Sequence, residues 1–168
     1  MKVLHVISDR NIGGAGGLLC NLLSCFDREK IESTVALPYE SELASRILKM
    51  DIPVFYLKEA CERLSPSSVL ELSRIIKKGE VDVVHTNAAV SARVAAKLCH
   101  IPVLHTRHCC FPPSGILANP MMRRAAGVVN RVLSDYTIAT AEVAAENLRQ
   151  LGIPEKKISV IINGSLPV

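Results

Sequence analysis

Four glycines near the N-terminus form the first pattern in this sequence that suggests chemistry. The segment KVLHVISDRNIGGAGGLL starts as a buried strand and reaches Gly13, Gly14, Gly16 and Gly17, after which a helical apolar pattern begins at Leu18. Because glycine lacks a Cβ and a helix N-terminus carries partial positive charge, backbone N–H groups here can hold a phosphate or a sugar hydroxyl. The four glycines are therefore candidate ligand-binding residues. The alternative is a tight turn that binds nothing.

The glycine spacing does not match the common nucleotide-binding fingerprints. Counting from Gly14, the dinucleotide fingerprint needs glycine at the sixth position, where Leu19 stands. The segment also lacks the Lys-Ser/Thr pair of a Walker P-loop. The second predicted strand ends in Leu37-Pro38, without the acidic residue that binds a ribose in dinucleotide enzymes. These departures count against a dinucleotide-binding protein.

Polar side chains follow the fourth, fifth and sixth predicted strands. They are Thr86 and Asn87, then Arg107 and His108, then Thr140. In a parallel sheet the loops after the strands leave at one edge, so we expect these side chains to meet the glycine segment there. We place the candidate site between the glycines and His108. The alternatives are that Asn87 caps a helix and that His108 only supports the loop that follows it.

A cluster of histidines and cysteines could in principle hold a metal ion or supply a cysteine nucleophile. His100, His105, His108, Cys109 and Cys110 lie close together in the sequence. Their spacing matches no common zinc module, and residues three apart on a strand point to opposite faces. No base and orienting group can be assigned to a cysteine nucleophile. We therefore predict no metal site and no covalent cysteine.

Strands and helices alternate along the whole chain, which predicts the fold class. We expect an α/β fold, Rossmann-like and doubly wound, with a mainly parallel sheet of about seven strands in three α/β/α layers. The expected strand order is 3-2-1-4-5-6-7, with right-handed crossovers. After the first strand, the predicted strands are Glu32–Leu37, Val54–Leu57, Val81–His85, Val103–Thr106, Thr137–Ala139 and Ile158–Ile162. The predicted helices begin near Leu18, Ser41, Ser67 or Ser68, Ala88, Pro120 and Ala141.

Composition narrows the class of protein. The 168 residues suffice for one domain, and 49% hydrophobic content indicates a globular chain. Aromatic residues make up only 4%, with no tryptophan, which argues against a nucleic-acid-binding platform. The six cysteines show no CxxC spacing, which argues against a disulfide framework. We find no apolar run of membrane-spanning length and no signal-peptide pattern, and we expect a cytoplasmic protein.

The middle of the chain lacks acidic residues. From Val83 to Ser134, 52 residues include no Asp or Glu but hold six Arg and Lys and four of the five histidines. Such a distribution is typical of a basic surface that faces an anionic ligand or membrane. Met121 and Met122 beside Arg123 and Arg124 begin a basic amphipathic helix, a candidate for peripheral membrane contact. The alternatives are an ordinary solvated helix and a buried stretch from which acids are absent anyway.

Four blocks of the sequence carry a resemblance. They are KVLHVISDRNIGGAGGLLCNL, VDVVHTNAAVSARVAAKL, IPVLHTRH and LGIPEKKISVIINGS. In this order they resemble the N-terminal domain of retaining glycosyltransferases with the GT-B fold, a family that includes bacterial glycan and lipid-linked sugar transferases. The resemblance covers nearly the whole chain. It departs at Gly17-Leu18, where relatives often place a polar pair such as Glu-Arg.

The resemblance implies a function and roles for the candidate residues. The full-length enzyme would transfer a sugar from a nucleotide-sugar to a glycan or lipid-linked acceptor, with no further cofactor. His108 would lie near the transferred sugar as the catalytic candidate. The glycines would line the interdomain cleft on the acceptor side. Residues 1–168 would be a single N-terminal domain, inactive alone, because the nucleotide-sugar domain would follow them. A stand-alone nucleotide or phosphometabolite binding module and a non-catalytic partner subunit stay open as alternatives.

Overall fold

Seven parallel strands form the centre of the molecule. The structure is a computed structural model, and it describes residues 1–59, 64–87, 89–108 and 115–164, with only the backbone of 116 and 117. The strand order is β3-β2-β1-β4-β5-β6-β7, and every neighbouring pair is parallel, which confirms the predicted order and fold class. The strands are β1 Lys2–Ile7, β2 Glu32–Pro38, β3 Val54–Leu57, β4 Val83–Asn87, β5 Val103–Arg107, β6 Tyr136–Ala139 and β7 Ile158–Val160.

Six α-helices connect these strands in the described part of the chain. They are α1 Gly14–Cys25, α2 Leu43–Leu48, α3 Pro66–Lys78, α4 Val90–Leu98, α5 Pro120–Leu133 and α6 Glu142–Gln150. Two short 3-10 helices, Gly115–Ala118 and Glu155–Lys157, complete the regular structure. Ser65 and Asn119 cap α3 and α5 by accepting hydrogen bonds from backbone N–H groups in the first turn. Each of these two helices also has proline at its first position, where the missing N–H costs nothing.

The helices cover the two faces of the sheet unequally. On the first face, α1 and α2 pack against Ile7, Val35 and Leu37 of β1 and β2. On the second face, α3 and α4 pack against β1, β2, β4 and β5, and α6 packs against β6 and β7. Leu104 and Ile138 are on the first face, beyond α1, and are only partly buried. The aliphatic core is therefore concentrated under β1 and β2.

Several element boundaries differ from the sequence prediction. β4 begins two residues later than expected and continues through Thr86 and Asn87, and β5 includes Arg107. Three of the four glycines, predicted to precede the first helix, lie inside α1. The apolar pattern stops at the last core side chain. The backbone hydrogen bonds, which define the element, continue past it.

The long irregular segment predicted at Cys109–Asn119 falls mostly outside the described residues, which include neither Cys109 nor Cys110. Its described end is the first 3-10 helix, followed by Asn119 as the N-cap of α5. Among the described residues, none of the helices combines the length and apolar character needed to cross a membrane.

Candidate functional site

The candidate site lies at the carboxyl edge of the sheet, where the strand order reverses between β1 and β4. In the parallel register Ile7 pairs with Asn87, and Asn87 pairs with Thr106 of β5. The ends of three strands therefore lie side by side. Helix α1 leaves this edge toward β2, and α4 leaves it toward β5. Ligands of open α/β sheets bind in the crevice that this reversal creates.

His108 and Asn87 form a short hydrogen bond at this crevice. The His108 Nε2 atom lies 2.6 Å from the Asn87 Oδ1 atom. An amide oxygen only accepts, so Nε2 of His108 carries the proton and donates. In the neutral imidazole, Nδ1 is then the accepting nitrogen. The Asn87 amide group thereby sets the tautomer of His108.

Burial favours the neutral form of His108. The side chain is half-buried, and this desolvation lowers the pKa of His108. The negative charge of Asp9, in the segment after β1, opposes the shift without cancelling it. Asp9 is therefore near enough to His108 to act on it electrostatically. Asp9 is absent from the residues predicted to form the site, although its place directly after the first strand, close to the glycines, was a usable signal.

The glycine segment begins α1 in ordinary helical geometry. Gly13 is the N-cap residue with extended backbone, and none of the four glycines has a positive φ. A Cβ atom on Gly13, Gly14 or Gly17 would meet no other atom within 4 Å. A Cβ on Gly16 would lie 2.8 Å from the Leu43 side chain. Gly16 is thus needed for packing against α2, whereas the other three leave the first turn of α1 bare.

Thr86 and Arg107 are separated from His108 by the pleat of the sheet. The Thr86 hydroxyl accepts a hydrogen bond from Ala89 N at 3.1 Å and so holds the start of α4. The Arg107 guanidinium donates to Asn147 Oδ1 on α6 at 3.2 Å. Successive residues of a strand point to opposite faces. Asn87 therefore joins His108 on the α1 side, and Thr86 and Arg107 contact helices of the second face.

Two buried histidines, His5 and His85, form a row of hydrogen bonds with Thr106 across β1, β4 and β5. His5 Nδ1 lies 2.9 Å from His85 Nδ1, and His85 Nε2 lies 2.7 Å from Thr106 Oγ1. Burial lowers the pKa of His5 to about 3 and that of His85 to about 4, so both are neutral at pH 7. His85 is thus a strand residue whose two ring nitrogens contact its neighbours His5 and Thr106. The pairing with His5 was missed because it joins residues 80 positions apart.

A cleft of about 320 Å³ opens beside His85, between α1 and the ends of β4 to β6. Asn87, Thr106 and Thr140 provide polar groups, and Leu18 and Leu22 of α1 form an apolar wall. The Asn87 Nδ2 atom, at the end of β4, is buried and has no hydrogen-bond partner among the described residues. The cleft is therefore equipped to donate a hydrogen bond to a bound molecule or chain segment.

The described residues include no cluster of three or more His, Cys, Asp or Glu side chains that could hold a metal ion. His105 lies on the second face, where burial and the charges of Arg93 and Arg107 lower its pKa to about 3. It is thus separated from His108, as the strand geometry predicted.

Comparison with solved structures shows the same fold in larger proteins. HepE of Anabaena in complex with UDP-glucose matches with a TM-score of 0.78 and 21% identity over 98% of this chain. A glycosyltransferase from Rickettsia africae matches with a TM-score of 0.74 and 19% identity over 96% of this chain. The UDP-GlcNAc 2-epimerase of Neisseria meningitidis bound to UDP-GlcNAc matches with a TM-score of 0.65 and 21% identity over 95% of this chain.

The chain spans less than half the length of these neighbours. It covers 44% of HepE, 42% of the Rickettsia protein and 45% of the epimerase. No curated protein matches the sequence. The family model Glycosyltransferase Family 4, by contrast, matches residues 12–165, nearly the whole chain. The crevice with His108 at the reversal of a parallel sheet thus lies in a chain that belongs to Glycosyltransferase Family 4.

Proposed function

We propose that this chain is the N-terminal, acceptor-side domain of a retaining glycosyltransferase. The full-length enzyme moves a sugar from a nucleotide-sugar to a glycan or lipid-linked acceptor. The observation that carries the proposal is the convergence of Asp9, Asn87 and His108 beside the glycine turn of α1, in a chain that belongs to this family. This arrangement offers one imidazole, one amide and bare backbone donors to a polar substrate.

The nucleotide-sugar is bound mainly by a second domain. This chain covers 44% of HepE, a structure solved with UDP-glucose, which leaves room for another domain of similar size. The described crevice has no cluster of cations that would neutralise a diphosphate on its own, since Arg107 contacts Asn147 on the other face. No cofactor besides the donor substrate is required.

His108 positions the reacting sugar and does not act as a covalent nucleophile. Its Nε2 proton is committed to Asn87, so the imidazole is held in one orientation. Nδ1 is left to accept a hydrogen bond from a sugar hydroxyl. The first N–H groups of α1 have no partners within the helix and are positioned to bind the acceptor or the leaving phosphate. Group orientation and electrostatic stabilisation together supply the catalysis.

The test is sugar transfer by the full-length enzyme with His108→Ala. We expect kcat/KM to fall roughly 10²-fold or more, as for removal of a preorganised polar group in other enzymes. His100→Asn is the matched control, because His100 is an exposed histidine at the opposite end of α4 and asparagine tolerates its positive φ of 58°. Normal activity of His108→Ala with an intact fold would place the reaction elsewhere.

The isolated chain provides a second arm of the same test. Without the donor domain, positioning worth about 7–11 kcal/mol of the barrier is lost, so residues 1–168 should show no useful turnover. Robust transfer by this chain would contradict the division into donor and acceptor domains. Epimerisation of UDP-GlcNAc by the full-length enzyme, without transfer, would instead favour the activity named for the Neisseria neighbour.

We further propose that the enzyme is cytoplasmic and contacts the membrane peripherally through α5. Only Gly127 of α5 is buried, and Met121, Val128 and Val132 are 78%, 48% and 63% exposed. The helix carries three arginines and no acidic residue. An apolar stripe flanked by cations is suited to the surface of an anionic bilayer.

Sedimentation with phosphatidylserine vesicles tests this contact. Arg123→Ala/Arg124→Ala should reduce binding, because each juxtamembrane cation contributes about 1 kcal/mol. The control is Lys77→Ala/Lys78→Ala, which removes an exposed basic pair at the end of α3. Equal binding by all three proteins would rule out α5 as the contact.

A further inference from the structure

Two tyrosines lie exposed together at the carboxyl edge, on the side of β1 away from His108. Tyr39 follows β2 and is 75% exposed, and Tyr56 in β3 is 42% exposed. Their ring centroids are 5.6 Å apart in an edge-to-face arrangement. They line a cleft of about 320 Å³ together with Arg10, Glu40 and Lys58.

The aromatic pair is held in place by backbone contacts. Tyr39 N donates to Leu57 O at 3.2 Å, which extends the pairing of β2 and β3 by one residue. The next residues bind the segment after β1, since Ser41 Oγ donates to Asp9 O at 2.9 Å and Glu42 N donates to Arg10 O at 2.8 Å. The backbone beside both rings is thus fixed, and the ring contact orders the two exposed side chains against each other. An ordered binding surface loses less entropy when a ligand binds.

Charged groups of both signs surround the rings. Arg10 Nη1 lies 3.5 Å from Glu40 Oε2, and both side chains are more than half exposed. Lys58 also lines an adjoining cleft of about 250 Å³, to which Glu71 and Arg74 contribute. The two depressions therefore follow one another along the edge from β2 to α3. Both contain hydrogen-bond donors and acceptors.

This combination selects a class of ligand. A sugar ring has an apolar face of C–H groups, which stacks on an aromatic side chain, and a rim of hydroxyls that both donate and accept hydrogen bonds. The two clefts do not carry the excess of cations that a phosphate needs, because Arg10, Lys58 and Arg74 are matched by Glu40, Glu59 and Glu71. A helix from a partner protein would need a wider apolar wall than Pro38 and Leu57 provide.

We propose that this tyrosine cleft, lined by Tyr39, Tyr56, Arg10, Glu40 and Lys58, binds a sugar residue of an oligosaccharide acceptor. The inference rests on the proposed function and adds to it the acceptor class. β2 lies three strand spacings from β5, about 14 Å from the His108 end of the crevice. A short oligosaccharide can span that distance, with its reacting end at His108 and a distal residue on the tyrosines. The adjoining cleft at Lys58 would take the next residue.

Direct binding of trisaccharides to this chain is the test. The probes are trisaccharides of glucose, of N-acetylglucosamine and of mannose, followed by ligand-observed NMR. Tyrosine fluorescence is a parallel signal, because the chain has no tryptophan and two of its three tyrosines line the cleft. We expect at least one trisaccharide to bind saturably, and Tyr39→Ala and Tyr56→Ala each to weaken it roughly tenfold.

Two controls isolate the cleft. Tyr39→Phe keeps the stacking face and should retain most of the affinity. Tyr136→Ala removes a 41% exposed tyrosine on β6, outside the cleft, and should leave binding unchanged. Circular dichroism confirms that each variant is folded.

Three results would overturn the inference. These are no binding of any trisaccharide, binding that Tyr39→Ala and Tyr56→Ala leave unchanged, and binding of UDP in place of the sugars. The assay needs no catalysis, so its failure is distinct from a failure of the proposed transferase activity. In an active full-length enzyme, an unchanged KM for an oligosaccharide acceptor in Tyr39→Ala would remove this inference alone.

Discussion

The strands β1 to β3 and the strands β4 to β7 bury different kinds of side chain. Under β1 to β3 the largest buried residues are aliphatic, among them Leu4, Ile7, Leu37 and Leu43, each with no measurable exposure. Of the 15 buried polar or charged residues in the described part of the chain, 11 lie between His85 and Asn147. Even the guanidinium of Arg93 is buried there, where it donates to Asn130 Oδ1 at 2.7 Å.

This difference separates stability from function within one domain. Aliphatic burial supplies most of the favourable free energy of folding, so the first half holds the fold together. Buried polar groups are costly unless each is hydrogen-bonded, yet they keep side chains in one orientation. In the second half, buried polar side chains lie at the strand ends where Asn87 binds His108, so this free-energy cost arises at the candidate site. Three experiments test whether the two halves differ in this way.

Acid should have the largest effect, because it acts on the buried histidines. The pKa values of His5, His85 and His105 are lowered to about 3, 4 and 3, whereas the unfolded chain protonates near pH 6.5. Below pH 6.5 the unfolded state binds protons that the folded state does not. The free energy of unfolding therefore decreases as the pH is lowered below 6.5, by up to about 4 kcal/mol per pH unit for three protons.

Urea unfolding at several pH values between 7.5 and 4.5 measures this slope. His105→Gln should reduce this slope by about the contribution of one proton, because glutamine does not titrate. A free energy of unfolding that stays constant down to pH 5 would show that burying these histidines carries no such cost.

Truncation of matched leucines should have the next largest effect. Leu37 in β2 is fully buried between helices and sheet, and Leu37→Ala should cost about 2–5 kcal/mol of unfolding free energy. Leu104 in β5 is only partly buried on the face beyond α1, and Leu104→Ala should cost about 1 kcal/mol. Urea denaturation at pH 7.5 gives both values. Equal costs would mean that the two halves are packed alike.

Alanine substitutions of the glycines in α1 should change the free energy of unfolding least. The sign of the change should differ between Gly16 and Gly17. Gly17 lies in the helix with open space where a Cβ would be, so Gly17→Ala should stabilise the fold by about 0.5–1 kcal/mol. Gly16→Ala should destabilise it, because the new Cβ meets Leu43. If a ligand contacts the backbone at Gly17, Gly17→Ala should also lower kcat/KM of the full-length enzyme. A destabilised Gly17→Ala would contradict the open geometry.

The strand order could be predicted from sequence because it follows from local patterns and chain connectivity. Alternating apolar strands and amphipathic helices leave few topologies once crossovers are right-handed and strands are parallel. The ends of the elements were less predictable. β4 and β5 extend through Asn87 and Arg107 since backbone pairing continues after the apolar pattern stops.

The fold class, the edge at which the polar strand ends lie and the glycines at the start of the first helix all follow from the amino-acid sequence, because each depends on local pattern and chain connectivity. Which of the polar side chains contact each other depends on the three-dimensional packing of the strands. Thr86 and Asn87 are neighbours in sequence, yet one holds α4 and the other binds His108, because a strand reverses its side chains at every residue. The pairs His5–His85 and Tyr39–Tyr56 likewise depend on the register between strands distant in sequence.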